Sequence, residues 1–186
     1  MSTLHTKGYT ASRGWSDQYT ESLSQIGVEI MYKNNLMGCY FVPPTLNQDR
    51  KHGIDMIVVT ETIKMSYRVR QASALPYWEK GFTIRTSSRG YPSELDKIQS
   101  PGFADYLVYG IAHPTKYGEV QGAVMIDLKS VGAQLVADPS LIKKATKKND
   151  FIEFKYTDFP DPIIVGLYGI DNKGELDKYQ DSNDPY

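Results

Sequence analysis

Asp55 is the residue whose chemistry departs most from its surroundings, a single acid in the apolar stretch Gly53-Ile54-Asp55-Met56-Ile57-Val58-Val59. A carboxylate in an oily strand must be paired, hydrogen-bonded or bound to a metal, because burying it alone is costly. The cations across the expected hairpin are Arg68 and Arg70, inside the β-branched and aromatic alternation of Lys64 to Arg70. Two such runs separated by 60–63 predict a hairpin. A turn symmetric about the Glu61–Thr62 bond puts Asp55 opposite Arg68 and Ile57 opposite Ser66. Strand alternation then sets Ser66, Arg68 and Arg70 on one face and Met65, Tyr67 and Val69 on the other. Two outcomes fit an acid beside a line of cations: a metal-assisted site, or an Asp55–Arg68 ion pair that fixes register without catalysis. A loop one residue longer or shorter would break that pairing.

The elements that must position these residues follow from periodicity and punctuation. Tyr19, Leu23, Ile26 and Ile30 lie on one face of a predicted helix over 17–33, with Ser16 or Asp17 as its cap. A short strand over 39–42 stops at Pro43-Pro44. After the hairpin come a strand over 82–86 and a helix over 94–98 capped by Ser93 and closed by Pro101-Gly102. Strands over 103–112 and 120–128, a basic helix over 139–148, and strands over 151–156 and 163–170 complete the series. Asp127-Leu128-Lys129 repeats the acid-x-Lys spacing, but its place at a strand end before Ser130-Val131-Gly132 predicts a solvated terminus. Helices interspersed among strands predict an α/β or α+β fold, a central mixed β-sheet flanked by helices. No repeat or linker divides the chain, so one domain is expected over 1–170, followed by an acidic tail over 171–186 with five acids against two lysines.

Gly53-Ile54-Asp55 followed by Ser66-Tyr67-Arg68-Val69-Arg70 resembles the motif of the PD-(D/E)XK nuclease superfamily, the restriction-endonuclease-like fold. The resemblance spans about 17–112 and includes the order helix, hairpin, strand, helix, strand. In that family a strand-borne Asp and an acid-x-Lys on the next strand bind a divalent metal and position the attacking water. The resemblance implies that Asp55 stands for the metal-binding Asp and Arg68 for the lysine, while Ser66 falls where the second acid belongs. It further implies Mg²⁺ as cofactor, with Glu29 on the leading helix as a second ligand beside Asp55. A serine hydroxyl is neutral, so such a site holds one carboxylate fewer. Arg68 would stabilise transition-state charge and cannot act as a base. Convergence of Glu29, Glu61 or Glu94 on Asp55 would complete the donor set. The implied activity is metal-dependent phosphodiester hydrolysis, or nucleic-acid binding on a scaffold that has lost it.

Composition bounds these readings. The chain has 186 residues, 40% hydrophobic and 23% charged, enough for a core. One cysteine, Cys39, forms no internal disulfide, and three scattered histidines exclude a Cys/His zinc cluster. Apolar runs are too short to cross a bilayer and the first residues lack a secretory core, so a cytoplasmic protein without membrane contact is expected. The net charge is −1, yet 64–97 holds seven basic residues against three acids, so a polyanion site would be local. The residues for nucleic-acid backbone contacts are Arg70, Arg85, Arg89, Lys143, Lys144 and Lys147, with DNA ahead of RNA as the partner. A homodimer is expected from the family resemblance. The competing reading is a non-enzymatic interaction or inhibitor module of viral or mobile-element origin, bound to a protein partner.

Overall fold

The computed structural model describes residues 14–34, 36, 40–42, 44–45, 48–49, 53–54, 56–59, 63–87 and 90–169. Asp55, Glu61, Arg89, Cys39, His5, His52, the boundary at 170 and the acidic tail all lie outside them. The chain runs α1 (Thr20–Lys33), β1 (Tyr40–Val42), β2 (Met56–Val59), β3 (Ile63–Arg70), α2 (Leu75–Trp78), β4 (Gly81–Arg85) and α3 (Glu94–Ile98). It continues through β5 (Tyr106–Ala112), β6 (Val120–Asp127), α4 (Leu128–Ala137), α5 (Ser140–Lys144), β7 (Thr146–Lys148), β8 (Phe151–Lys155) and β9 (Ile164–Tyr168). Six strands form a sheet in the order β1-β2-β3-β5-β6-β9, and β4-β8-β7 form a second, smaller one. Among the described residues only β3 and β5 pair in parallel. This is the mixed α/β architecture expected from the sequence, and no helix among the described residues is long and apolar enough to cross a membrane.

The large sheet buries both faces. Leu23, Ile26, Ile30 and Met31 of α1 pack with Met56, Met65, Val69 and Met125 on one side. On the other, Phe82, Phe154, Tyr156 and Phe159 pack with Leu107, Val124 and Ile126. The rings of that second cluster sit 5.6–6.0 Å apart, a spacing at which aromatic pairs attract beyond their area burial. A parallel pair needs a long crossover. The one from β3 to β5 carries α2, β4 and α3 over the sheet face opposite α1. It is anchored where Asp105 precedes β5: the Asp105 N–H donates to the Lys64 carbonyl at 2.7 Å, and the Lys64 N–H donates to the Asp105 carboxylate at 2.6 Å.

Several expectations are corrected. The hairpin pairs Met56 with Met65 and Ile57 with Lys64, so Ile57 does not face Ser66. The register of the two strands is slid by two positions from the expected one. An even slip leaves side-chain faces unchanged. Met65 and Val69 therefore still point toward α1, with Ser66, Arg68 and Arg70 opposite. Helix α1 is not capped by Ser16 or Asp17. A helical turn over 14–17 feeds into it, leaving Tyr19 at the N-cap position in αR geometry without a side-chain cap. Asp127 does close β6, but it is half-buried and has a further role, since its carboxylate accepts the Ser130 N–H at 2.9 Å and starts α4. The basic helix over 139–148 breaks at Ala145, whose backbone turns extended. Residues Thr146–Lys148 then join β8 in a hairpin through Asn149-Asp150, with Asn149 at φ 50°.

Gly132 lets α4 lie directly on the C-terminal end of α3, since a β-carbon there would run into the Ile98 carbonyl. Gly132→Ala is expected to destabilise the protein by about 1–3 kcal/mol, as overpacking against rigid backbone does. Urea unfolding monitored by circular dichroism measures this loss.

Candidate functional site

Alternation along β3 sends Arg68 and Arg70 into the seam between the two sheets. Arg68 donates through Nη1 to the Thr83 carbonyl of β4 and through Nη2 to the Glu94 carboxylate of α3. The ion pair is partly buried, its side chains 15% and 22% exposed. The other Glu94 oxygen accepts the Arg85 backbone N–H at 2.8 Å. Glu94 is held in place because Ser93 starts α3 with a reciprocal cap: its hydroxyl accepts the Asp96 N–H while the Asp96 carboxylate accepts the Ser93 N–H. Burial pushes the Glu94 carboxyl up, but the Arg68 charge, the Arg85 backbone N–H and the Arg68 hydrogen bond outweigh it and leave the group below its ordinary value.

Arg70 donates through Nε to the Tyr109 hydroxyl at 2.9 Å and through Nη2 to the Thr83 hydroxyl, two bonds that fix its guanidinium plane. The guanidinium carbons of Arg68, Arg70 and Arg85 lie 6.0, 5.2 and 5.6 Å from the centre of the Phe151 ring, within cation–π range. Phe151 pairs across β8 with Arg85 of β4 and with Lys148 of β7, so the three form one cross-strand row. Cross-strand partners project to the same face. Lys148 forms an ion pair with Glu153 and places its ammonium 5.2 Å from the Tyr77 ring. Between these groups lies a pocket of about 210 Å³ lined by Arg70, Tyr77, Thr83, Tyr109, Lys148 and Phe151. A larger hollow of about 440 Å³ beside Asp105 has its lysines engaged, Lys129 with the Asp105 carboxylate at 2.8 Å and Lys64 with the Gly102 carbonyl at 3.5 Å.

Of the residues singled out in the sequence, Arg68, Arg70 and Arg85 converge here and Ser66 is buried on the same face of β3. Lys143, Lys144 and Lys147 are exposed, the first two on α5 and the third on the edge strand β7, so they do not form a single helical stripe. Glu29 does not join Arg68. It pairs with Lys33 at 2.7 Å on the exposed side of α1, with the sheet between them. Asp55 and Arg89 are outside the described residues. Among those described, no group of three or more His, Cys, Asp or Glu residues gathers. Glu94, the acid beside Arg68, has both oxygens engaged, one by Arg68 and one by the Arg85 backbone N–H.

The sequence offered Glu94 only as one of three acids that could converge on Asp55, and gave no role in the seam to Thr83, Phe151, Tyr77 or Glu153. Only their cross-strand register brings them here. No protein-family model, curated protein or solved structure matches the chain.

A carboxyl held below its ordinary 4.5 contributes stability that is fully present above that pH and fades as pH falls through the lower folded value. Glu94→Gln is expected to cost about 2 kcal/mol near neutral pH, between the ~1 of exposed ion pairs and the ~3–5 of fully buried ones. The gap to wild type should narrow once the pH drops well below 4.5. Urea titrations at about pH 7 and about pH 3 compare the two proteins.

Proposed function

We propose that this chain binds nucleic acid, DNA ahead of RNA, on a nuclease-like scaffold that holds the strand without hydrolysing it. The observation that supports this most is the state of Arg68. The residue standing where the resemblance puts the catalytic lysine is engaged by Glu94 and the Thr83 carbonyl. Exposed cations on other elements suit a phosphate backbone. Arg85 at the end of β4, Lys147 on β7, and Lys143 and Lys144 on α5 are exposed, and α5 leads directly into β7. Such contacts give affinity through counterion release and carry no sequence information of their own.

The reading predicts binding of DNA oligonucleotides that weakens steeply with salt, and no cleavage of them with Mg²⁺. Combining Lys143→Gln, Lys144→Gln and Lys147→Gln should make the slope of log affinity against log salt shallower by about 2 for a single strand. Fluorescence anisotropy across a salt series measures the slope. Cleavage that depends on Mg²⁺ and disappears in Asp55→Ala would replace the binder with an enzyme, and salt-insensitive capture of a protein would favour an interaction module.

A further inference from the structure

We infer that the pocket between Tyr77 and Phe151 receives one unpaired nucleobase, so that the protein prefers single-stranded to fully paired DNA; this rests on the nucleic-acid reading above. The pocket, at about 210 Å³, falls below the size of sites for drug-sized molecules and suits a single planar ring. Its lining is aromatic, from the exposed Tyr77, the half-buried Phe151 and the buried Tyr109 and Trp78. Aromatic faces attract any base, because every base has a π-face. Tyr77 is 63% exposed on α2, so its ring is presented outward instead of filling the core.

The polar groups at the pocket match the edge of a base and the phosphate that follows it. Arg70, its plane already fixed by Tyr109 and Thr83, offers N–H donors without having to order itself first. The Thr83 hydroxyl can donate or accept, and the Glu153 carboxylate accepts. The Lys148 ammonium, now shared between Glu153 and the Tyr77 ring, supplies the cation a phosphate would meet at the mouth. Ala145, Thr146 and Lys147 link that lysine to α5, which carries the exposed Lys143 and Lys144. In a duplex both faces of a base are covered by its neighbours in the stack. Reaching an aromatic wall then requires unstacking and unpairing, which costs a few kcal/mol and is avoided when the base is already single-stranded.

The test is fluorescence anisotropy with a labelled oligothymidine and a blunt duplex of equal length, at one salt concentration, using wild type, Tyr77→Ala and Tyr77→Phe. Circular dichroism confirms that each variant is folded. Wild type should bind the single strand more tightly. Loss of one stacking wall, worth about 1–3 kcal/mol, should lower the ratio of single-strand to duplex affinity by roughly 5-fold to 150-fold in Tyr77→Ala. Tyr77→Phe should keep the wild-type ratio. Equal affinity of wild type for the two forms, or a Tyr77→Ala ratio within twofold of wild type, overturns the pocket while leaving nucleic-acid binding intact. Failure of wild type to bind either form overturns the reading beneath it as well.

Discussion

The parallel pairing of β3 with β5 is the constraint from which the site follows. Two strands running the same way cannot be joined by a tight turn, so the chain must travel back along the sheet before it can pair again. That return path lies on the face opposite α1, because α1 already covers the first face with Leu23, Ile26 and Ile30. It lays β4 and α3 over the arginines of β3, and β4 then recruits β8 and β7 into a second sheet. Arg68 could not remain unpaired once covered, and Glu94 at the start of α3 is the group that meets it. The seam between the sheets is polar because β3 alternates; the core beside it is apolar because β4 and β8 alternate too, with Phe82 and Ile84 facing inward opposite Phe154 and Ile152.

A formal charge of −1 over the whole chain conceals this local arrangement. Three guanidinium groups share one phenyl ring, with the Glu94 carboxylate on Arg68 and the Glu153 carboxylate lining the pocket beside Arg70. Like charges held this close raise the local positive potential, and the low-dielectric wall behind them keeps water from screening it fully. Hydrogen bonds to Thr83 and Tyr109 hold two of the three in fixed directions. The field is therefore directed as well as concentrated.

Periodicity carried most of the elements. The apolar stripe of α1, the Ser93 cap and the strand cores around 107–111 and 123–126 were legible because one local signal decides each of them. The face assignment of β3 survived a wrong register, since a slip of two residues preserves alternation. What local signals could not decide was lost. Asp127 and Ser130 resemble a strand end until the carboxylate is seen capping α4, and Gly132 looks like a turn until Ile98 is seen against it. The lysines of 143–148 suited a helix by spacing, whereas Asn149-Asp150 enforced a hairpin. Reasoning from chemistry centred on Asp55, yet the described site is organised by Glu94. The two glutamate oxygens reach partners on β3 and β4, a convergence no spacing along the chain encodes.

The two sides of the large sheet differ in material. Toward α1 the filling is rich in thioethers, with Met31, Met56, Met65 and Met125 all buried, and the Ser24 and Tyr67 hydroxyls both reach the sulfur of Met56. Unbranched, polarisable side chains of this kind readjust with little resistance. Across the sheet, stacked rings with few torsions leave far less slack. Small displacements of α1 are thus absorbed in a compliant layer, and the arginine seam is mounted on the stiff one. The same softness makes the α1 side the chemically vulnerable half, since converting any of these sulfurs to a sulfoxide would drive a polar oxygen into its packing.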